Sequence, residues 1–371
     1  MGSIPITRSN LSKATVLSDC IVIGAGAIGL LSALALTERG LSVTILERQQ
    51  AGREASWAGG GILCPLYPWR YSDPINRLAF WSTSRYATLC TQLWERTGID
   101  PQWTDSGLLI LDPPKKSEVD NWATRFGQTV SWQSAAELFH PLPDRDAAWL
   151  PEIGQVRNPR LLQALIAAVR KKGIKIREHC PVLELQTRGG RVTGVKTPNG
   201  QVAAEQVVIA AGAWSQTLIP GMLPPRIYPV RGQMLRLQTT PGTVPAILMD
   251  EGIYLIPRRD GGVIVGSTVE HVGYDKSTTE AARHQLHRHA LKIWPQLDRA
   301  PITHHWAGLR PGSDDGIPTI GEHPDIQGLY INAGHFRNGL VMGPASAELL
   351  ANLMTGETTI VDPAPYSPRL L

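Results

Sequence analysis

The chain has 371 residues, 42% of them hydrophobic and 18% charged, which is typical of a folded globular protein and argues against a disordered or fibrous one. Its 36 Lys and Arg residues against 32 Asp and Glu residues leave a net charge of +4, and the basic residues form no tract, so nucleic acid is not an expected partner. A single hydrophobic core rarely exceeds roughly 250–300 residues, so we expect two domains.

The N-terminal segment MGSIPITRSNLSKATVLS is polar and lacks the apolar core of a signal peptide, and we expect residues 1–15 to be disordered. No later run approaches the roughly 20 apolar residues of a membrane span. The four cysteines lie far apart and form neither a CxxC pair nor a disulfide framework: Cys20, Cys64, Cys90 and Cys180. We therefore expect a soluble protein of the reducing cytoplasm.

The segment CIVIGAGAIGLLSALALTERGLSVTILER predicts a strand, a helix and a second strand in close succession. We expect the strands at Cys20–Ile23 and Ser42–Leu46, with a helix from Ala27 to Arg39 between them. Further helices are predicted near 85–97 and 160–172. The first segment alone predicts an α/β unit.

A hairpin is predicted at 181–204, with turns at Gly189-Gly190 and Asn199-Gly200, followed by a buried strand in QVVIAAGAWS (206–215). Residues 226–271 are rich in β-branched and aromatic residues, interrupted by Arg-Gly, Pro-Gly and Asp-Gly-Gly turns, and predict an antiparallel sheet. A strand (329–334) and a helix (340–354) then return to α/β character. The first domain is therefore expected to be built from three separated segments.

The turn after the first strand carries Gly24-x-Gly26-x-x-Gly29, and Glu47 follows 18 residues later at the end of the second strand. Gly24 allows the tight turn, Gly26 lets the backbone approach a pyrophosphate, and Gly29 permits close helix packing. The helix N-terminus offers free N–H groups to phosphates, and Glu47 would accept hydrogen bonds from the adenosine ribose. A glycine turn alone would be an ordinary structural feature, but the complete strand, helix, strand and acid predict dinucleotide binding.

Two further glycine-rich segments favour FAD over a nicotinamide cofactor: GREASWAGGG (52–61) and VVIAAGAWS (207–215). No second GxGxxG occurs, so no NADPH site for reducing a flavin is predicted, and electrons are expected to come from an organic substrate. The histidines at 284, 287 and 289 do not share one helical face and lack an HExxH motif, so we expect a solvated helix surface and no metal. No GxSxG motif supports a hydrolase.

One arginine, Arg310, stands in the glycine- and proline-rich stretch WAGLRPGSDDGIPTIG. Its guanidinium is either an ordinary surface charge paired with Asp314 or Asp315, or a planar group positioned to bind an anionic ligand. The residues of this stretch alone leave both readings open.

Several segments together resemble the FAD-dependent D-amino acid oxidase superfamily, and within it the bacterial glycine oxidase family of the thiamine pathway, over about residues 19–355. They are the N-terminal fingerprint, GREASWAGGGILCPLYPWRY, VVIAAGAWS, YLIPRRDGGVIVGST, WAGLRPGSDDGIPTIG and AGHFRNGLVMGPASAELLA. The last two motifs are the most specific.

The resemblance implies an α/β fold with a discontinuous, Rossmann-like FAD-binding domain and a mainly antiparallel β substrate domain. The FAD domain would comprise 16–95, 152–226 and 312–371, and the substrate domain 96–151 and 227–311. FAD is expected to be noncovalent, because the family's covalent members attach it through a cysteine near the C-terminal part of the chain and none follows Cys180 here.

By the same resemblance, Arg310 of the GLRP motif binds the substrate carboxylate, Tyr254 of YLIPR adds a hydroxyl, and Arg337 of GHFRNG lies near substrate and flavin. Alternatively, Arg310 forms a surface ion pair, Tyr254 is an ordinary aromatic residue that packs across neighbouring strands, and Arg337 is a surface charge at the start of a helix. The implied cofactor residues are Gly24, Gly26, Ala27, Ile28, Gly29, Glu47, Arg48, Glu54, Ala55, Ser56, Gly59, Gly60, Gly61, Val182, Gly212, His335, Phe336, Arg337, Asn338, Gly339, Leu340 and Val341. A helix beginning near Asn338 would aim its N-terminal amides at the flavin.

The implied reaction is oxidative deamination of glycine, sarcosine or small D-amino acids to the keto acid, ammonia and hydrogen peroxide, with molecular oxygen as acceptor and a role in thiamine thiazole synthesis. Three alternatives stay open: a dehydrogenase that passes electrons to a quinone or other carrier, a flavin-binding module without turnover, and an oxidase domain acting on modified tRNA. The aromatic stretch PLYPWRY (65–71) is either a lid over the site or a packed surface loop. A homo-oligomer is plausible from the resemblance alone.

Overall fold

The structure, a computed structural model, describes residues 18–221 and 227–368, so the expected disorder of residues 1–15 lies outside the described residues. The helices are α1 (Ala27–Glu38), α2 (Ala55–Ala58), α3 (Asp73–Thr97), α4 (Lys116–Phe126), α5 (Ala135–Leu138), α6 (Asn158–Lys171), α7 (Glu280–Ile293) and α8 (Gly339–Thr355). The strands are β1 (Ser18–Ile23), β2 (Val43–Leu46), β3 (Thr104–Asp105), β4 (Leu108–Ile110), β5 (Ser131–Ser134), β6 (Asp146–Leu150), β7 (Gly154–Gln155), β8 (Lys175–Arg177), β9 (Glu184–Arg188), β10 (Arg191–Thr197), β11 (Gly200–Ile209), β12 (Ile227–Gln238), β13 (Ile247–Asp250), β14 (Ile253–Pro257), β15 (Gly262–Gly266), β16 (Ile302–Ser313), β17 (Thr319–Glu322) and β18 (Leu329–Ala333).

The predicted β-α-β unit is confirmed in β1, α1 and β2. The sequence of α1, AIGLLSALALTE, is apolar on nearly every face, because this helix is buried between the sheet and α8. A β-carbon on residue 24 would lie 2.4 Å from the Ala210 carbonyl oxygen, and one on residue 29 would lie 1.9 Å from the Gly24 carbonyl oxygen. Glycine at both positions therefore allows strand, turn and helix to pack closely.

A first sheet has the order β17-β18-β11-β1-β2-β8, in which β18, β11, β1, β2 and β8 run parallel and β17 is antiparallel. The predicted hairpin turns are confirmed, since β9, β10 and the first half of β11 form an antiparallel extension. In such a sheet, ligands bind outside the carboxyl ends of the parallel strands.

A second sheet has the order β16-β12-β15-β14-β13-β4-β6-β5 and is antiparallel except where β13 pairs with β4. The predicted Pro-Gly and Asp-Gly-Gly turns separate its strands, but the predicted Arg-Gly turn is wrong. Arg231 and Gly232 lie inside β12, which continues without a break from Ile227 to Gln238. Glycine at 232 instead makes room for a side chain of β16, as described below.

The helix predicted at 85–97 is longer at its N-terminus, since α3 begins at Asp73 with Pro74 in its first turn, a position that proline favours. The predicted C-terminal strand and helix are confirmed as β18 and α8. The Tyr86 hydroxyl donates a hydrogen bond to the Leu340 carbonyl and ties α3 to the start of α8.

The strands of the two sheets alternate along the chain in blocks. This distribution supports the proposed domain division. Among the strands of these two sheets, only β16 crosses a proposed domain boundary, since its last two residues lie beyond residue 311. The four cysteines are free and buried. No helix within 18–221 or 227–368 has the length and apolar character needed to cross a membrane.

Candidate active site

An elongated cavity opens at the carboxyl ends of four parallel strands of the first sheet. Its floor is formed by the residues that end or directly follow those strands: Ile23 and Gly24 after β1, Leu46 and Glu47 after β2, Ala210 to Gly212 after β11, and Asn332 and Ala333 on β18. From there it extends to the second sheet, where Tyr254 and Arg310 line it. The cavity therefore spans the place expected for a dinucleotide and the place expected for a substrate.

Glu47 and Ser56 organise the backbone at the N-terminus of α1. The buried Glu47 carboxylate accepts hydrogen bonds from the Ala25 amide at 2.8 Å and the Gln49 amide at 2.9 Å. The Ser56 hydroxyl accepts one from the Ala27 amide at 3.0 Å. These contacts fix the glycine turn, whose helix N-terminus carries the partial positive charge that favours phosphate.

Arg48 and Glu54 lie at the outer end of the cavity. The Arg48 guanidinium stacks 3.3 Å from the ring centroid of Trp214 and pairs with Glu54 at 3.0 Å. Glu54 also pairs with Lys276 at 3.1 Å. Glu47 and Glu54 are the carboxylates among the described lining residues, and both are already engaged.

The three glycines of the Gly59–Gly61 loop form one wall. A β-carbon on residue 60 would lie 2.6 Å from Ile256 Cδ1, and one on residue 61 would lie 2.1 Å from the Val156 carbonyl oxygen. Within the described parts of the chain, the Gly60 and Gly61 amides donate to no acceptor. This wall therefore presents backbone to the cavity, and a side chain on residue 61 would clash with the backbone of Val156.

The opposite wall is the start of α8. Residues 335–341 line the cavity, and Phe336 has a φ of 46°, an unusual backbone conformation for a residue with a side chain. His335 is buried with its Nε2 3.0 Å from the Ser346 hydroxyl, and burial lowers its pKa to about 3. This histidine is neutral at physiological pH.

Three buried amide atoms in the cavity lining have no hydrogen-bond partner among the described residues: Asn158 Oδ1, Asn332 Oδ1 and Asn338 Nδ2. An unpaired buried polar atom destabilises a protein by about 1–3 kcal/mol, so these atoms favour a ligand with both donors and acceptors. Together with the α1 N-terminus and the glycine wall, they fit FAD. A metal ion has no such support, since no cluster of three or more ligating side chains occurs in the described ranges.

Arg310 lies on β16 and points into the substrate end of the cavity. Its guanidinium donates to the Ser267 hydroxyl at 2.6 Å and to the Thr268 carbonyl at 3.1 Å. Within the described ranges it pairs with no carboxylate, so the surface ion pair with Asp314 or Asp315 is absent. Burial lowers its pKa to about 10, which the Tyr254 hydroxyl opposes and the charge of Arg337 reinforces. The Arg310 guanidinium is thus protonated at neutral pH and has no counterion among the described residues.

Tyr254 lies on β14, and two strands, β12 and β15, separate it from Arg310. Glycines on the intervening strands let both side chains lie across the sheet. A β-carbon on Gly232 would lie 2.2 Å from Arg310 Nη2, and one on Gly266 would lie 2.8 Å from the Tyr254 hydroxyl. The pair therefore depends on glycine at two positions that ordinary strand patterns disfavour.

The remaining walls of this end come from Arg337 and the segment 65–71. Arg337 lines the cavity with no ion pair among the described residues. Leu66 also lines it, while Tyr67 is buried and its hydroxyl donates to the Asp112 carboxylate at 2.6 Å. The segment is therefore an anchored wall that contributes one apolar side chain to the cavity.

All residues assigned to the site from the sequence line this cavity except Ala27 and Gly29, which shape the turn beneath it. Five further residues contribute to the site and were not predicted from the sequence: Asn158, Asn332, Trp214, Gly232 and Gly266. Asn158 directly precedes Pro159 at the start of a predicted helix, and Trp214 lies in the quoted motif VVIAAGAWS, so these two had a local signal. The others reach the site only through strand pairing.

The sequence matches the family described as FAD dependent oxidoreductase over residues 19–353. It is 43% identical over 356 residues to a glycine oxidase of Pseudomonas putida, covering 94% of this chain and 98% of that protein. It is 33% identical to the bifunctional protein ThiO/ThiG of Nostoc, covering 91% of this chain and 52% of that protein. The fold is similar to the crystal structure of glycine oxidase from Geobacillus kaustophilus, with a TM-score of 0.89, 30% identity, and coverage of 96% of this chain and 99% of that one.

Proposed function

This chain belongs to the FAD dependent oxidoreductase family, and we propose that it oxidises glycine and other small amines, including sarcosine and small D-amino acids. The observation that carries the proposal is the partly buried Arg310, which pairs with no carboxylate among the described residues and lies beside Tyr254 at the end of a cavity that fits FAD. A planar guanidinium binds both oxygens of a carboxylate, which every amino acid offers.

The side chains at the substrate end bind and orient. Arg310 holds the carboxylate through its fork, and the Tyr254 hydroxyl donates a further hydrogen bond to it. Leu66 closes the apolar side of the space and favours substrates with little or no side chain. Fixing the substrate in this way supplies most of the protein's catalytic contribution.

The chemistry that bound FAD supplies is acceptance of a hydride from the substrate Cα, which leaves an imine that water hydrolyses to glyoxylate and ammonia when glycine is the substrate. No general base is required if the amine binds neutral. Two guanidinium groups, Arg310 and Arg337, disfavour an ammonium ion, and neither lining carboxylate is free to act. The α8 N-terminus favours negative charge on whatever lies against it.

Molecular oxygen is the proposed electron acceptor, with hydrogen peroxide as product. The proposed physiological role is supply of the glycine-derived unit of the thiamine thiazole, supported by the likeness to ThiO/ThiG proteins. A cytoplasmic location is proposed because all four cysteines are free thiols. Assembly as a homo-oligomer is proposed on the family resemblance.

The test is product stoichiometry with purified protein in air. Glycine is expected to give glyoxylate, ammonia and peroxide in equal amounts. The alternative, a dehydrogenase that uses a quinone or other carrier, predicts slow oxygen consumption and fast reduction of an artificial acceptor by the same protein and substrate. Absence of both activities with glycine, sarcosine, D-alanine and D-proline would exclude the proposed reaction.

A further inference from the structure

A further arginine near the site, Arg258, pairs with no carboxylate among the described residues. Its guanidinium donates to Gln155 Oε1 at 2.5 Å and to the carbonyl oxygens of Val156 at 2.9 Å and Gly60 at 2.6 Å. All three acceptors are neutral. The nearby carboxylate of Asp260 pairs instead with Arg157 at 2.9 Å and Arg236 at 3.3 Å.

These contacts place the charge directly behind the glycine wall. Burial, with the charge of Arg157 acting in the same direction and that of Asp260 opposing it, lowers the pKa of Arg258 to about 10, which still leaves it protonated at neutral pH. A partly buried charge whose hydrogen bonds go only to neutral acceptors loses hydration without gaining an ion pair, and this lowers the stability of the fold. Such a group is therefore a candidate for a functional role.

The hydrogen bond to the Gly60 carbonyl also sets the orientation of the peptide group between Gly60 and Gly61. In a trans peptide the carbonyl and the following N–H point in opposite directions, so a carbonyl turned toward Arg258 turns the Gly61 N–H away from it. The next carbonyl, of Gly61, is likewise held by the Val156 amide at 2.9 Å. The Gly61 amide, which has no acceptor among the described residues, is thereby left for a ligand in the cavity.

We propose that Arg258 is a positioning residue that fixes the Gly59–Gly61 wall and places a positive charge behind it, so that the cavity binds reduced FAD more tightly than oxidised FAD. The proposal rests on FAD binding under the proposed function. Reduction adds two electrons and one proton to the neutral flavin ring and leaves one negative charge on it. A positive charge behind a hydrogen-bonding wall stabilises that product in a low-dielectric site.

The experiment is a comparison of FAD midpoint potentials in Arg258→Met, Arg258→Lys and Arg259→Met, with dithionite as reductant. We expect Arg258→Met to reduce the preference for reduced FAD by about tenfold, which lowers the two-electron midpoint potential by about 30 mV. Arg258→Lys keeps the charge and should keep most of the potential, while its loss of the fork should weaken binding of oxidised FAD. Arg259 is the matched control, since its exposed side chain pairs with Asp100 at 3.0 Å.

Each outcome is decisive. A potential in Arg258→Met equal to that of the parent protein, or a drop equal to that of Arg259→Met, overturns the proposal. If Arg258→Met does not fold, a potential in Arg258→Lys as low as that of free FAD overturns the charge effect, whereas one near the parent value supports it. Failure of the parent protein to bind FAD would instead overturn the proposed function.

Discussion

The guanidinium of Arg310 packs against the α-carbon of Gly232 on the neighbouring strand, so closely that a β-carbon there would lie 2.2 Å from Nη2. We predict that Gly232→Ala displaces the guanidinium and raises the KM for glycine by about tenfold, equivalent to about 1.4 kcal/mol. In an Arg310→Met background the same change should have little further effect on glycine binding, because coupled residues are not additive. A parent-like KM with FAD retained would show that the guanidinium does not hold the substrate in this position.

The two carboxylate contacts should differ in strength. Arg310→Ala is expected to weaken substrate binding by about 2–5 kcal/mol, the scale for losing one partner of a buried charge pair. Tyr254→Phe should weaken it less, by about 0.5–3 kcal/mol. Anaerobic titration of the flavin band with glycine measures both. Unchanged glycine affinity in Arg310→Ala would show that Arg310 does not bind the substrate carboxylate. Equal losses in Arg310→Ala and Tyr254→Phe would show that Arg310 is not the stronger of the two contacts.

The glycine wall offers a matched pair of substitutions. Gly61 and Gly173 have nearly the same φ, 81° and 79°, but of these two only Gly61 has other atoms within 4 Å of the place where a β-carbon would lie. Alanine at Gly173 should destabilise the fold by about 1–2 kcal/mol because of the left-handed backbone. Alanine at Gly61 should destabilise it more, because its β-carbon would also lie 2.1 Å from the Val156 carbonyl oxygen. Only Gly61→Ala should also weaken FAD binding, measured by fluorescence of released flavin. Equal FAD affinity in the two variants would contradict the assignment of the Gly59–Gly61 loop as a wall of the FAD site.

His335 provides a prediction on pH. Its pKa is lowered from 6.5 to about 3 in the folded protein, so below pH 6.5 the unfolded chain takes up a proton that the folded chain refuses. The contribution of neutral His335 to the free energy of unfolding is therefore fully present above pH 6.5. It is lost as the pH falls toward 3, at up to about 1.4 kcal/mol per pH unit.

Urea unfolding of FAD-saturated protein at pH 7.5 and 5.5 measures this loss. His335→Asn should show a smaller decrease than the parent protein. His284→Asn is the control, because the His284 side chain is 74% exposed on α7 and should leave the decrease unchanged. Identical decreases in all three proteins would mean that His335 does not resist protonation.

Local patterns predicted most of the fold. The β1-α1-β2 unit, the hairpins and α8 each depend on periodicity and turn residues within one short segment, and those are present in the sequence. Gly232 was misread as a turn for the same reason, since a glycine that makes room for Arg310 looks locally like a glycine that bends the chain. Arg258 and Asn332 act through partners far along the chain, and a single sequence does not show those contacts.

The visible spectrum of the FAD-bound protein after glycine is added without oxygen tests the proposed oxidation most directly. We expect the flavin band to bleach, and we expect admitting air to restore it with release of hydrogen peroxide. Bleaching without recovery in air would favour the dehydrogenase. A yellow protein that neither glycine nor sarcosine, D-alanine or D-proline bleaches would show that the protein is not a small-amine oxidase.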